Sequence, residues 1–164
     1  MQYTMRYSSP VGEMLLACDE GGLTGAWFIG QKYFAAGLNK DAAEQEHEHL
    51  LTAAKWLDIY FSGEKPDFLP EIHMDSSPFS IAVWEELLKI PYGEVRTYGE
   101  LAETVAHRLG KEKMSARAIG GAVGHNRISV IIPCHRVLGT DGRLTGYAGG
   151  IDKKIALLRL EKAI

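Results

Sequence analysis

The stretch "VIIPCHRVLG", residues 130–139, sets Cys134 beside His135 and Arg136 at the end of an apolar run and directly after Pro133. Cysteine reacts as its thiolate, so a nucleophilic Cys134 needs a base or a positive field nearby, and His135 and Arg136 are candidates. Neighbouring side chains on a strand point to opposite faces, so the thiol and the imidazole can meet only through a turn or a bridging water. Pro133 favours a break in regular structure there. A histidine base also needs a third group that orients it and supports its charged form. Glu161 shares a helix side with Leu157 and Leu158, and a carboxylate turned inward requires a partner; an ordinary surface position is the alternative. Asn126 precedes the apolar run and can hold a turn by bonding to nearby backbone. Against all this stands the plainer reading of Cys134 as a small packed hydrophobe.

The elements that must carry these residues follow from pattern. The first thirty residues alternate polar and apolar positions between the turn signals "SSPVGE" and "DEGG", which predicts a small antiparallel sheet. From about Asp41, Leu50, Ala54, Leu57 and Phe61 recur at helical spacing as far as Ser62-Gly63. The three prolines of 62–78 mark a linker, which puts a boundary near residue 77: an N-terminal α+β domain over 1–77 and a C-terminal domain over 78–164. Ser77 and Pro78 can start a helix that ends by Pro91. Thr97 and Glu100 form a capping box for a second helix, with Tyr98 in its first turn and Gly110 at its end. Ser115 can cap a third, "SARAIGGAVG", whose glycines and alanines suggest close approach, by a neighbouring helix or by a nucleic-acid groove. "ISVIIP" reads as a short buried extended segment, and "DKKIALLRLEKA" as a last helix. Two short helices joined by a turn match the helix-turn-helix pattern, although an ordinary helical hairpin looks alike.

Composition narrows the class. The 164 residues are 46% hydrophobic with a net charge of −3, enough for one good core or two modest ones. Residues 1–77 hold 5 basic against 12 acidic side chains and residues 78–164 hold 13 against 9, so the second half is the one suited to phosphates. Two distant cysteines indicate neither a disulfide framework nor a cysteine-rich zinc site. No leader pattern opens the chain and no apolar run approaches the ~20 residues that span a bilayer, so a cytoplasmic protein without membrane contact is expected. Cys18 reads as strand core. His47 and His49, two apart on a charged helix, are not expected to face each other or to pair on a metal.

"IPCHRV", preceded by "RAIGGAVGHN" and followed by "TGYAGG", with "IPYGEVRTYGELA" upstream, resembles the O6-alkylguanine-DNA alkyltransferases, or methylated-DNA–protein-cysteine methyltransferases. The likeness runs from about Pro78 to Glu161. It implies an α+β fold: a ribonuclease H-like sheet and helix, then a helical domain with a helix-turn-helix and an active-site cysteine. It implies repair of DNA by irreversible, single-turnover transfer of an alkyl group from O6-alkylguanine, and from O4-alkylthymine, to Cys134, with no cofactor and no metal. By the same resemblance His135 activates the thiol through a water, Glu161 holds His135, Asn126 braces the turn, and Tyr98 assists departure of the base. Val137, Tyr147 and Ala148 join Tyr98 around the substrate. Arg117 fills the space of a flipped nucleotide, and Ala116, Gly120, Gly121, Thr97 and Ser115 meet double-stranded DNA in the minor groove, the protein acting as a monomer.

The chain departs from the family pattern in places. Ala148 stands where many members have serine, but the implied contact is a backbone amide. Arg127 stands where many have proline. "AHRLGKEKM" lengthens the link between the DNA-binding helices, and its Arg108, Lys111 and Lys113 are phosphate contacts or a solvated loop. Ligands for the zinc site of some members have no evident match. Two competing readings are a lesion-binding relative without activity, which carries tryptophan in place of the cysteine, and a thiol hydrolase, which would turn over.

Overall fold

The alternating segments at the start of the chain form a meander: β1 (Tyr3–Ser9), β2 (Gly12–Asp19) and β3 (Gly22–Phe28) pair antiparallel in sequence order. The computed structural model describes residues 1–164, which divide into two compact units, Met1–Asp75 with Arg127–Ile131, and Ser76–Asn126 with Ile132–Ile164. The hairpins are tight: Ser9 stands opposite Gly12, and Asp19 opposite Gly22 with its carboxylate accepting from the Gly21 amide at 2.8 Å. A two-residue strand, β4 (Ala43–Glu44), adds parallel to β1 and gives the order β3-β2-β1-β4. Met14, Leu16, Leu23, Trp27 and Phe28 are buried on this sheet, with Cys18 among them.

Helix α1 (Glu48–Phe61) starts later than the spacing predicts, because 43–44 are held in the sheet. Its buried face is Leu50, Ala53, Trp56, Leu57 and Tyr60, and Trp56 stacks on Tyr60 with centroids 5.3 Å apart. Ala54 and Phe61 of the expected stripe are only half-buried. His47 is the N-cap in an extended conformation and not a helical residue, so its ring stacks on His49 at 5.1 Å; the expectation that the two do not face each other fails for that reason.

The proline-bearing linker is laced to β3: the Leu23 amide donates to Glu71 O at 2.8 Å and the His73 amide to Leu23 O at 2.9 Å. Residues Arg127–Ile131, expected within the C-terminal domain, belong to the first unit. Ala26 donates to Arg127 O and accepts from the Ser129 amide, both at 2.8 Å, and the Arg127 guanidinium donates to Asp75 O at 3.0 Å. The run "ISVIIP" is buried but not extended. Val130 has φ 72° and the Ile131 amide turns back to Ser129 O, since a regular strand could not bond to Ala26 and then leave it within so few residues.

The second unit is built on local signals. In α2 (Pro78–Leu88) the Ser77 hydroxyl accepts from the Ser80 amide, and Pro78 occupies the first turn, where no amide hydrogen is needed. After β5 (Arg96–Thr97), both bonds of the Thr97–Glu100 capping box are made at the start of α3 (Tyr98–Arg108), and Gly110 with φ 69° ends it. Ser115 caps α4 (Ala116–Gly124), which buries Ile119, Ala122 and Val123, while Trp84 of α2 donates to Ala122 O at 2.9 Å. Then follow β6 (Val137–Leu138) and α5 (Ile151–Leu160). No helix is long and apolar enough to cross a membrane.

Candidate active site

Cys134–Arg136 form one 3-10 turn, entered from Pro133 with φ −81° and ψ 63°. The Cys134 amide donates to Ile132 O at 2.8 Å and the Arg136 amide to Pro133 O at 3.0 Å. The turn replaces the strand geometry that would have set Cys134 and His135 on opposite faces. Directly after it, β6 pairs parallel with β5, Arg96 against Val137 and Thr97 against Leu138. Thr97 is also the N-cap of α3, so this short pairing carries Tyr98 to the side of the cysteine turn. Only 6% of Cys134 is exposed, and none of His135.

Three groups address the sulfur. The Asn126 amide donates to Sγ at 3.2 Å and to Ile132 O at 2.9 Å, so the residue expected to brace the turn also touches the thiol. The Tyr147 hydroxyl and the Lys154 ammonium also act on the sulfur, both favouring its ionised form. Burial pushes the Cys134 thiol up, opposed by Asn126, Lys154 and Tyr147. Burial likewise pushes His135 down, opposed by its bond to Glu161. Burial thus favours the uncharged forms of both the Cys134 thiol and the His135 imidazole.

Glu161, the C-cap of α5, is buried and fully used. It accepts from His135 Nε2 at 2.6 Å, from Arg136 Nε at 2.8 Å and Nη2 at 3.1 Å, and from the Gly93 amide at 3.0 Å. Burial alone would raise its pKa, but His135 and Arg136 hold it down at about 2. Arg136 is thus not a partner of the thiol, as its position beside Cys134 suggested. Its guanidinium neutralises Glu161, donates to Ile90 O at 2.7 Å and lies over the Tyr92 ring. The Arg136 charge also works against protonation of His135.

Of the other expected residues, Tyr98, Val137 and Tyr147 lie at this turn. The Tyr98 hydroxyl hydrogen-bonds the Thr145 side chain and interacts with Cys134, and its ring lies 3.9 Å from where a Cβ on Gly120 would stand. Val137 O accepts from Lys154 Nζ at 2.6 Å, and Tyr147 and Ala148 are half-buried in the glycine-rich loop. On α4, Ala116, Arg117 and Gly121 are exposed, as is Ser115 before it, and a Cβ on Gly121 or Gly124 would meet nothing. Tight packing therefore does not explain those glycines; they leave a smooth open face. The Thr97 and Ser115 side chains are engaged as caps, accepting from the Glu100 and Ala118 amides. Arg108 is not a spare phosphate contact, since its guanidinium is shared by Glu85 and Glu86, whereas Lys111 and Lys113 are exposed.

Lys154 is the functional candidate that the sequence reading passed over, a lysine with no exposed surface. The spacing 154, 157, 158, 161 on one helix face was the available signal, since a lysine in line with two core leucines must find acceptors inside.

Comparison with known proteins agrees with this architecture. Residues 78–163 match the model of the 6-O-methylguanine DNA methyltransferase DNA binding domain, and residues 2–72 that of the 6-O-methylguanine DNA methyltransferase ribonuclease-like domain. The chain is 42% identical over 160 residues to a methylated-DNA–protein-cysteine methyltransferase of Methanosarcina acetivorans, covering 97% of each chain. It is 40% identical over 154 residues to one of Mycobacterium leprae, covering 94% of this chain and 88% of that one. A crystal structure of Mycobacterium tuberculosis OGT in complex with DNA superposes with a TM-score of 0.84 at 38% identity, covering 98% of this chain and 93% of that one. Two matched domains in the same order, agreement along nearly the whole length and a shared fold lead to one conclusion: the chain belongs to the 6-O-methylguanine DNA methyltransferase family.

Proposed function

We propose that this chain repairs DNA by moving the alkyl group of O6-alkylguanine onto Cys134, once per molecule. The observation that carries the reading is a buried, protonated thiol surrounded by Asn126, Tyr147 and Lys154, next to a neutral histidine already anchored by a carboxylate. In this reading the thiol passes its proton through a water to His135 Nδ1, because Nε2–H stays on Glu161. The sulfur attacks the alkyl carbon in line; the S–C bond forms as the C–O6 bond breaks. Guanine keeps that bonding pair and takes up one proton, leaving a thioether and the restored base. Tyr98 hydrogen-bonds the departing base, and the Val137 carbonyl and Ala148 amide read its edge. O4-alkylthymine offers the same type of bond. A thioether does not leave readily, so the site is not regenerated. Cys134 itself speaks against the inactive lesion-binding alternative.

The target atom lies inside a duplex, so the nucleotide must be flipped out. The exposed small-residue face of α4 supports close approach to a minor groove, with Arg117 in the vacated stack and Thr97, Ser115, Ala116, Gly120 and Gly121 against the backbone. We place the domain boundary near residue 77, and the protein's work, as a monomer, in the reducing cytoplasm, where Cys18 and Cys134 stay free.

Incubation with a duplex containing O6-methylguanine, followed by peptide mass mapping, tests the reading. One methyl group is expected on the peptide carrying Cys134 and none on that carrying Cys18, whose thiol burial and the nearby Asp19 and Glu20 push up to about 11. Transfer stops at one equivalent. Turnover beyond the protein concentration would instead indicate a hydrolase.

Arg117 provides a second test. If it only contacted phosphate, Arg117→Lys would be mild and the loss with alanine would shrink as salt rises. If it fills the emptied stack, the planar guanidinium matters and lysine is a poor substitute. Both Arg117→Ala and Arg117→Lys are expected to slow repair of duplex DNA at least about tenfold while leaving reaction with free O6-benzylguanine nearly intact, since a free base needs no flipping. An unchanged ratio of duplex to free-base rates in both variants would return Arg117 to the solvated surface.

A further inference from the structure

Lys154 is fully buried one turn into α5, and no step of the alkyl transfer uses it. Its ammonium donates to Val137 O at 2.6 Å, Thr145 O at 2.8 Å and Gly146 O at 3.4 Å. An ammonium has three protons, and these acceptors engage all of them, so the buried cation is solvated entirely by backbone. The acceptors come from two separate segments. Val137 leads straight out of the Cys134–Arg136 turn, and Thr145–Gly146 open the loop that brings Tyr147 to the sulfur. Lys154 also shares its helix with Glu161, the acceptor for His135. One side chain thus ties together the nucleophile's turn, the loop against it and the helix that orients the base.

Burying a lysine is costly unless something in the structure requires the charge there. A neutral donor could have bridged the same carbonyls without that cost. The charge faces ionisable groups on one element, the cysteine turn, where Cys134 and His135 both respond to it. For Cys134 the effect favours the thiolate, and no other cation acts on that sulfur comparably, because Arg136 is turned to Glu161.

We propose that Lys154 is a positioning residue for alkyl transfer, clamping the Val137 carbonyl and the Thr145–Gly146 loop where the base must fit and lending a fixed positive charge to the thiolate as it forms. The proposal rests on Cys134 being the alkyl acceptor. Burial draws the Lys154 pKa down to about 8, opposed by Cys134, so the ammonium is still mostly charged at neutral pH.

The experiment compares Lys154→Gln, Lys154→Met and Lys154→Arg in the full chain. It reads the pH profile of Cys134 alkylation by iodoacetamide, scored by peptide mapping, the rate with free O6-benzylguanine, and the thermal midpoint. Loss of the charge in the Gln and Met variants should move the iodoacetamide midpoint upward by about one pH unit and slow the O6-benzylguanine reaction at least about tenfold. Gln, which restores some carbonyl bonds, should be the faster of the two, and Arg should keep the wild-type midpoint. A purely structural lysine would change the thermal midpoint alone. The proposal is overturned if folded Lys154→Gln has the wild-type midpoint and rate, or if Arg shifts the profile as far as Met. Should Met fail to fold, the Gln–Arg pair decides. Wild-type protein that forms no benzyl adduct at Cys134 would overturn the alkyl-transfer reading instead, and the iodoacetamide profiles would still judge the charge.

Discussion

Cys134→Ser is expected to abolish alkyl transfer completely while leaving affinity for duplex DNA within about twofold of wild type, the range of surface-neutral changes. The hydroxyl preserves the shape of the site and can still accept from Asn126, so the fold loses little. What disappears is an ionisable nucleophile. Burial favours the protonated thiol, opposed by Asn126 and Lys154, and in the proposed reaction His135 takes its proton; a serine hydroxyl, far more weakly acidic, gains too little from the same groups. Binding survives because the candidate recognition residues stand on α3 and α4, outside the cysteine turn. Transfer of label from methylated duplex gives the first quantity, and fluorescence anisotropy with the same duplex the second. Label appearing on Cys18 or elsewhere in the variant would sink the assignment of Cys134. Lost binding would mean that recognition runs through the thiol.

Glu161→Gln has the second largest expected effect, on stability and on rate together. The carboxylate accepts from His135, twice from Arg136 and from the Gly93 amide. A glutamine has one acceptor oxygen and an amide that can only donate, so at least one of these donors loses its partner, and Arg136 becomes a buried cation without a counter-ion. Breaking such a pair costs about 3–5 kcal/mol. Transfer should slow by at least about tenfold, since His135 loses the group that orients it and supports its protonated form. The stability difference should also depend on pH. Glu161 titrates at about 2 in the folded protein, below the ~4.3 of an unfolded glutamate. A depressed folded value means its contribution is present above about 4.3 and is lost as pH falls toward about 2. Wild type should therefore lead the variant in thermal midpoint by most at pH 7 and by progressively less between pH 4 and pH 3. Equal midpoints at pH 7 would rule out the buried network as a source of stability, and equal pH–rate profiles would remove Glu161 from support of His135.

Particular residues show where sequence reasoning reached and where it stopped. Ser77, Thr97 with Glu100, and Ser115 begin helices where the sequence places them, because a cap is satisfied by amides two or three residues away. Helical spacing does not reveal the start of α1, because Ala43 and Glu44 take their partners from β1, far off in the chain. The helix begins only after His47, which is its cap, so helical spacing does not separate His47 from His49. "ISVIIP" has the composition of a strand, but its neighbours in space impose a turn at Val130.

The sequence alone determined the family, the order of sheet and helices, and the candidate nucleophile, because motifs and caps are local and survive without knowledge of packing. Only the tertiary structure decided which charges meet. That Arg136 serves Glu161 and not the thiol, that Lys154 takes its place beside Cys134, and that a two-residue strand pair brings Tyr98 to the same turn are long-range outcomes. The physical reason is burial. A cation excluded from water must be met by acceptors from whatever elements pack around it, and its effect on a neighbouring pKa depends on that enclosure, not on its distance along the chain.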